Sequence, residues 1–257
     1  MENAYIGFLL SLDYRLKRTF DIDSKRRQGR DSMMEKKAKR TESYQIVRAS
    51  QGMIGFDTDT KITEAANELV LQGFHFVLRY LSLREKEAQG DLTKEEANAI
   101  LEAGLGLMPV QHVREPGWIP TEPLGLRDGN EARIQAFLCG FLPHCTVWLD
   151  LEGVNQKVSQ ADVLAYTIAW AKSVRAWGYH PGIYVGAQSL LDQNELDKSM
   201  PYRYFWRSMS ASAPQRKEDE YAIWQEVGST WQGIAYDRDR IPVHAIVTNL
   251  PWMMIKG

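Results

Sequence analysis

Two carboxylates lie two residues apart in the β-forming segment Val147–Glu152. Because positions i and i+2 of a strand share a face, Asp150 and Glu152 point the same way, with Cα atoms roughly 6 to 7 Å apart. Leu149 and Leu151 then face the opposite side. Ionisable groups on the inner face of a buried strand are costly unless something pairs or uses them. The spacing therefore favours a functional site over a structural Asp and a solvated Glu.

Further carboxylates fall at the ends of other predicted strands. Asp57 ends the first strand and Asp59 follows it, whereas Asp237 and Asp239 end the eighth, which lies beside the first strand if a barrel closes. Glycoside hydrolysis needs one protonated carboxyl group and one ionised carboxylate, and such a cluster supplies both. For Asp59 and Asp239, a helix cap or turn role is an equal alternative.

Two classes of ligand, metal ions and sugars, suit a cluster of carboxylates. Acidic clusters also hold Mg²⁺ or Ca²⁺, which prefer oxygen ligands. Aromatic rings in or beside the strands favour a sugar instead, since flat rings suit the apolar faces of sugars, although core packing is the alternative for any single ring. Cys139, His144 and Cys145 lack a fourth ligand for structural zinc, and two cysteines are too few for a disulfide framework. We predict no metal and no cofactor. The aromatic residues concerned are Tyr80, Trp148, Tyr184, Trp206, Trp224 and Tyr236.

From Met53 onward, short β-rich runs alternate with helical segments, a pattern typical of βαβ units. Neither a Gly-x-Gly-x-x-Gly turn nor a phosphate-binding P-loop is present, which argues against a doubly wound nucleotide-binding sheet. Eight strands are predicted. They are Met53 to Asp57, Phe74 to Tyr80, Gly106 to His112, Thr146 to Glu152, Gly182 to Gly186, Tyr204 to Arg207, Ala222 to Glu226 and Ile234 to Asp239.

Helix signals separate the first strands and weaken after Gly186. Thr93 and Glu96 are spaced as a capping box. The pattern predicts an α/β fold, a single TIM-type barrel with abbreviated helices in its second half. The tail from Pro242 to Gly257 adds a strand or covers the barrel. The predicted helices are Thr60 to Leu71, Thr93 to Glu102, Asn130 to Leu138, Gln160 to Trp177 and Ala187 to Leu196.

Charge divides the chain near residue 48. Residues 1–48 hold 12 Lys and Arg against 7 Asp and Glu, whereas residues 49–257 hold 19 against 26. We predict a basic, poorly ordered extension over 1–48 and one barrel over 49–257. The acidic body argues against nucleic acid binding by the barrel, because phosphate binding needs a basic face. For the extension, nucleic acid or anionic lipid is the alternative to a solvated tail.

Membrane and export signals are weak. No run of about 18 apolar residues is present, so no spanning helix is predicted. The apolar run Ala4 to Leu12 is short and has no basic residue before it, so no signal peptide is predicted either. We therefore expect a cytoplasmic protein unless lysis or another export route releases it, or translation starts at an internal methionine.

Several segments together resemble a known family. Gly55-Phe56-Asp57, Trp148-Leu149-Asp150-Leu151-Glu152, Gly182-Ile183-Tyr184-Val185-Gly186, Ile223-Trp224-Gln225 and Ala235-Tyr236-Asp237 occur in an order similar to that of the family 25 glycoside hydrolases, the lysozyme-like muramidases. A closer resemblance, to a bacterial glycoside-hydrolase-like domain of unknown function that is related to those muramidases, is carried by Gly55-Phe56-Asp57-Thr58-Asp59, Phe76-Val77-Leu78-Arg79-Tyr80 and Pro181-Gly182-Ile183-Tyr184-Val185-Gly186. The resemblance covers about residues 53–240.

The resemblance implies a hydrolase of β-linked amino sugars whose partner is the glycan of peptidoglycan. Glu152 carries over as general acid, Asp150 and Asp237 as stabilisers or nucleophile, and Asp57 as an orienting group. Because like charges disfavour ionisation, we predict a raised pKa for Glu152. The alternative is a carbohydrate-binding barrel with weak or no catalysis, which fold analogy does not separate from an enzyme. The predicted substrate contacts are Arg79, His112, Tyr184, Trp206, Trp224 and Gln225.

Overall fold

A computed structural model of the chain describes residues 44–83, 90–112 and 114–257. Residues Gln45–Lys256 form one compact unit, and ten strands are described within 44–257. These are β1 (Tyr44–Arg48), β2 (Ile54–Thr58), β3 (Phe76–Leu81), β4 (Gly106–Gln111), β5 (Thr146–Leu151), β6 (His180–Val185), β7 (Tyr204–Arg207), β8 (Ile223–Trp231), β9 (Ile234–Arg240) and β10 (Trp252–Lys256).

Eight of these strands, β2 to β9, close into a barrel. Neighbours from β2 to β8 pair in parallel, and β9 closes the ring by pairing with both β8 and β2. The predicted barrel is therefore confirmed, with its eighth strand beside its first. One detail differs: β9 is antiparallel to both neighbours, because it follows β8 through the tight turn Gln232–Gly233, whose residues both have positive φ.

Side chains alternate across the barrel wall, as strand geometry requires. Phe76, Leu78, Trp148 and Trp206 point inward and pack in one buried cluster. Val77 and Leu81 of β3 are fully buried between the wall and the helices outside it. Because both faces of these strands are buried, the sequence shows apolar runs rather than a simple alternation.

Five α-helices lie in the described part of the chain, and none follows β7 or β8. Abbreviated helices in the second half are thus confirmed. Thr93 caps α2 by accepting from the backbone N–H of Glu96 at 3.2 Å, and Ser159 caps α4 in a full capping box with Asp162. The helices are α1 (Ala66–Leu71), α2 (Lys94–Ala103), α3 (Glu122–Leu138), α4 (Gln160–Arg175) and α5 (Gln193–Lys198).

Helix α3 begins eight residues before its predicted start at Asn130. The added turns contain Gly125 and Gly129, which lie where α3 packs closely on α4. A Cβ atom on Gly125 would lie 2.2 Å from the carbonyl oxygen of Tyr166. These glycines therefore permit close helix packing and do not end the helix.

Other helix predictions were less accurate at their bounds. The helix predicted from Thr60 begins at Ala66, and the helix predicted over Ala187 to Leu196 spans Gln193–Lys198. The Thr93–Glu96 capping box forms only in part. The carboxylate of Glu96 pairs with Arg79 and accepts from the backbone N–H of Ile62.

The C-terminal tail supplies strand β10, which pairs antiparallel with β4 at Met254 and Leu107. Strands β4 and β5 pair only toward their carboxyl ends. The backbone N–H of Trp252 donates to the Thr146 side chain of β5, so β10 lies between the other ends of β4 and β5. Of the two alternatives for the tail, the structure shows the added strand.

Strand β1 is formed by the last five residues, Tyr44–Arg48, of the segment predicted as an extension. Residues 1–43 lie outside the described residues. Cys139 and Cys145 are buried and are not joined by a disulfide bond. Within 44–83, 90–112 and 114–257, no helix has the length and apolar character needed to cross a membrane.

Candidate active site

A cleft of about 450 Å³ opens at the mouth of the barrel, where the parallel strands end. Active sites of β/α barrels lie at this face. The hairpin formed by β8 and β9 supplies one wall. The cleft is lined by Asp57, Thr58, Asp59, Tyr80, His112, Asp150, Glu152, Gly228, Ser229, Thr230, Ala235, Tyr236 and Asp237. The four carboxylates predicted to be catalytic therefore share one cleft.

Asp150 lies at the inner face of β5, where only 6% of it is exposed. Its Oδ1 atom is buried and has no hydrogen-bond partner among the described residues. Burial raises the pKa of Asp150 well above its usual value, and the charges of Glu152 and Asp57 raise it further. This carboxyl group therefore holds its proton strongly in the free protein.

Glu152 follows β5 and is more exposed than Asp150. Its carboxylate accepts from the backbone N–H of Ala187 and lies against Gly186, where a Cβ atom would be 2.3 Å from Oε2. Burial raises the pKa of Glu152, the hydrogen bond from Ala187 opposes that rise, and the charge of Asp237 adds to it. Gly186 is required here because any larger residue would displace the glutamate.

Asp57 and Asp237 are directly opposite each other on β2 and β9. The side-chain amide of Gln225 bridges them, donating to Asp57 at 3.3 Å and to Asp237 at 3.1 Å. Tyr80 donates to Asp57 at 3.3 Å, and Tyr184 donates to the amide oxygen of Gln225 at 3.1 Å. This network fixes the orientation of both carboxyl groups.

Proton affinity is raised at both carboxyl groups of this pair. Burial raises the pKa of Asp57 to about 7, the charge of Asp237 contributes to the rise, and hydrogen bonds from Gln225 and Tyr80 limit it. Burial also raises the pKa of Asp237. Asp57 thus changes its protonation state near neutral pH.

Asp239 lies deeper in the barrel than Asp237 and is fully buried. The indole N–H of Trp206 donates to its Oδ1 atom at 2.9 Å. Burial raises the pKa of Asp239 well above its usual value, and so does the charge of Asp57. Asp237 and Asp239 are two residues apart and so share one face of β9, and this spacing is the sequence signal that favours a site role over a turn role for Asp239.

No described Lys or Arg forms an ion pair with these five carboxyl groups. Their mutual repulsion is therefore relieved by proton uptake and by neutral donors such as Gln225 and Tyr80. Over the same described ranges, no group of three or more His, Cys, Asp or Glu side chains has a geometry that could hold a metal ion.

The predicted substrate contacts divide between the cleft and other places. His112 lines the cleft, and Tyr184 and Gln225 support its carboxylates. Trp206 lies beneath the cleft in the core, only 2% exposed, and contacts Asp239 rather than the open cleft. Tyr80, predicted only as one of the aromatic residues that favour a sugar, lines the cleft, and so do the hairpin residues 228–230, which were not predicted.

Arg79 and Trp224 lie outside the cleft, which corrects the expectation that they contact substrate there. Each precedes an inward-facing residue in its strand, so alternation turns it outward. Arg79 is fully buried against α2 and pairs with Glu96 at 3.0 Å. Trp224 lies on the outer wall of the barrel.

Comparisons with known proteins agree with the resemblance found in the sequence. A sequence model described as Rv2525c-like, glycoside hydrolase-like domain matches residues 67–241. No curated protein matches the chain in sequence.

Solved structures share the fold. The Tat-secreted protein Rv2525c of Mycobacterium tuberculosis is 14% identical with a TM-score of 0.58, over 75% of this chain and 97% of that one. An uncharacterised protein of B. stearothermophilus is 17% identical with a TM-score of 0.55, over 76% and 99%. The spore cortex lytic enzyme SleM of Clostridium perfringens is 14% identical with a TM-score of 0.55, over 78% and 70%.

Proposed function

We propose that this chain, which belongs to the Rv2525c-like, glycoside hydrolase-like domain family, binds glycan strands of peptidoglycan at the barrel mouth and hydrolyses their β-linked amino sugars. The observation that carries the proposal is the convergence of Asp57, Asp150, Glu152 and Asp237 on one cleft. SleM, which has the same fold, is a spore cortex lytic enzyme. That likeness supports the substrate class proposed here.

Glu152 is the proposed general acid. Asp150 and Asp239 bind their protons more strongly, but both are deeply buried, and a proton donor must come within hydrogen-bond reach of the leaving oxygen. Glu152 is more accessible and lines the cleft, and burial raises its pKa. It therefore combines access to substrate with a proton to donate.

Asp237 is the proposed ionised partner. It is the more exposed member of the Asp57–Asp237 pair, and it accepts a hydrogen bond from Gln225 that stabilises its charge. An ionised carboxylate here would stabilise the oxocarbenium-like centre or attack it. Asp150 would add to the electrostatic stabilisation once ionised, and Asp57 would orient its neighbours.

A second candidate function is glycan binding without turnover. The backbone N–H of Ala187 donates to the Glu152 carboxylate, and this hydrogen bond stabilises the ionised form that cannot act as an acid. If that effect prevails when glycan is bound, the barrel is a recognition module.

One experiment separates the two functions. Reducing ends released from purified peptidoglycan and co-sedimentation with the same peptidoglycan are measured for the wild type, Glu152→Gln and a control, Glu102→Gln. Glu102 is 51% exposed and pairs with Lys256 away from the cleft. Loss of general acid catalysis should lower the rate of Glu152→Gln by about 10²- to 10⁴-fold while binding persists.

The control variant should retain the wild-type rate. If Glu152→Gln retains more than about half of that rate, Glu152 is not the acid. Binding by the wild type without release of reducing ends would favour the recognition module, and absence of both would contradict the proposed substrate.

A further inference from the structure

Three residues form a row across the outer wall of the barrel, on the side that lacks helices. Trp224 of β8 is directly opposite Arg207 on β7 and Arg240 on β9. The guanidinium carbons lie 4.9 Å and 4.5 Å from the centre of the indole ring. Both distances are within the range of a cation–π contact, so the ring holds two guanidinium groups in place.

This row lines a second cleft, of about 440 Å³, which we call the arginine cleft. It is also lined by Arg238, Glu226, the apolar residues Met209 and Val227, and Gln225, whose side-chain amide reaches the mouth carboxylates. Arg238 and Arg240 are 49% and 38% exposed, so their remaining N–H groups reach solvent. The arginine cleft and the barrel mouth lie on opposite faces of the same strands.

Charge in the arginine cleft is positive but sparse. Glu226 pairs with Arg240 at 2.7 Å and with Arg238 at 3.6 Å, so three guanidinium groups are offset by one carboxylate. Arg207 also donates from Nε to Gln215 at 3.0 Å. These positive groups lie in a part of the chain, residues 49–257, whose net charge is negative. A local excess of arginine there points to an anionic ligand.

We infer that the arginine cleft is a second binding site, which takes the oxyanion groups of an acidic glycan chain. Guanidinium groups bind carboxylates and phosphates through paired N–H donors, and stacking on Trp224 fixes the direction of those donors before the ligand arrives. The backbones of Arg207 and Arg240 are two strand spacings apart, roughly 10 Å, and their guanidinium carbons lie closer together because both contact one indole ring. One chain with charged groups along its length can therefore contact both.

The charge pattern favours a glycan over a nucleic acid. Double-stranded DNA carries a charge about every 1.7 Å, and its binding proteins present extended basic surfaces. A closely charged strand in the arginine cleft would meet Glu226 as well as the arginines. A glycan with about one charge per sugar suits a cleft in which one carboxylate offsets three guanidinium groups and the apolar residues Met209 and Val227 lie beside them.

This inference goes beyond the proposed function, because the arginine cleft would hold a glycan whether or not the mouth hydrolyses one. It is tested by electrophoresis of the full chain through native gels that contain polygalacturonate, a polymer with one carboxylate per sugar. Neutral dextran and a double-stranded oligonucleotide are the comparison ligands. The acidic mouth repels polygalacturonate, whereas the basic residues 1–48 attract it, so binding by the outer wall is measured as the difference in retardation between the wild type and the arginine variants.

The variants are Arg207→Gln, Arg240→Gln and Trp224→Leu, with Arg127→Gln as a control for loss of one positive charge. Arg127 is 72% exposed on α3. We expect polygalacturonate to retard the wild type and the control equally, and each arginine variant to bind about tenfold or more weakly. Trp224→Leu should also bind more weakly, although it keeps both charges, because the guanidinium groups lose their support.

The inference is overturned if the wild type is not retarded, if dextran retards it as strongly, or if the oligonucleotide binds more tightly. Equal retardation of the arginine variants and the wild type would also overturn it. Thermal melting of each variant identifies any that fails to fold. An arginine-to-glutamine variant that fails to fold is replaced in the gels by the corresponding Arg→Lys variant, which keeps the charge. Repeating the gels with Glu152→Gln separates this site from the mouth, because that variant should be retarded like the wild type.

Discussion

The two faces of strand β9 differ in charge. Asp237 and Asp239 point into the barrel, whereas Arg238 and Arg240 point out of it. Although these residues alternate along one strand, the inner acids and outer arginines do not pair, because the backbone of the sheet separates them. The outer arginines pair with Glu226, and the inner acids have no described cationic partner.

This difference shows how the ionisable groups on each face are stabilised. Outside, water and Glu226 keep arginines ionised at little cost. Inside, burial makes ionisation costly, so the acids retain protons and use neutral donors. A group of proton-holding carboxyls is useful for acid catalysis, and the same group makes the native state sensitive to pH.

The largest expected effect is therefore a loss of stability as pH rises. The pKa of Asp57 is about 7 in the folded chain against 3.8 ordinarily, so the folded state holds a proton that the unfolded state releases between these values. The free energy of unfolding should fall from about pH 4 to pH 7, by on the order of 4 kcal/mol for Asp57 alone. Urea unfolding across this range measures it. A free energy of unfolding that rises with pH would show that the inner acids are ionised.

The outer face offers a comparison between two arginines. Arg79 is buried beneath α2 and pairs with Glu96, whereas Arg240 is 38% exposed and pairs with Glu226. Arg79→Met leaves Glu96 buried without its charge partner, so we expect a loss of about 3 kcal/mol or more in the free energy of unfolding. Arg240→Met should lose less than about 1 kcal/mol.

Chemical denaturation of Arg79→Met and Arg240→Met at one pH tests whether burial beneath α2 sets the contribution of an outer arginine to stability. Adding Glu96→Leu to Arg79→Met should recover part of the loss, because it removes the unpaired charge. Equal losses in Arg79→Met and Arg240→Met would mean that burial under α2 does not set the contribution of an outer arginine.

A smaller effect is expected from Asp239→Asn. The amide keeps an oxygen that accepts from Trp206 and removes the proton uptake that folding requires. At neutral pH we expect the free energy of unfolding to rise, and its dependence on pH to weaken. Asp59→Asn is the control, because Asp59 is exposed at the rim of the same cleft. A less stable Asp239→Asn variant at neutral pH would show that Asp239 is ionised in the fold.

The smallest effect is expected from deleting residues 1–43, which stops short of β1. Their charge is high and their apolar pattern ends early, so we predict little contribution to the barrel. The melting temperature should be nearly unchanged, and the pH dependence of stability should persist. Loss of cooperative unfolding in the deletion variant would show that the folded domain begins within residues 1–43.

The strands could be predicted because short apolar runs between turn signals are a local property. All eight agree with the structure within two residues at their bounds, except that β8 continues from Glu226 to Trp231. The convergence of Asp57 with Glu152 followed from barrel closure. The direction of β9 was not predicted, although Gln232–Gly233 is a hairpin signal. Helix bounds failed where glycines serve packing contacts, as at Gly125.

The substrate contacts were less predictable, because the resemblance to a family gives their positions along the chain. It does not give the face of the strand on which each side chain lies. Trp224 and Gln225 are adjacent in β8 and point to opposite faces, so they cannot both face the cleft. Arg79 and Tyr80 are likewise adjacent in β3 and point to opposite faces, so they cannot both face the cleft. The pairing of Arg79 with Glu96 depends on the tertiary packing of α2, which no local pattern contains.

The pairing of β2 with β9 has a consequence for the kinetics of folding. Thr58 donates from its side chain to the carbonyl oxygen of Ala235, which is 177 residues away in sequence. Joining segments so distant is slow, since the loop entropy is lost before the contacts form. We expect this closure to be a late step. Because the closure brings Asp57 to Asp237, a chain stalled before it would hold an open sheet and an incomplete carboxylate cluster, so the cleft would be complete only once folding is complete.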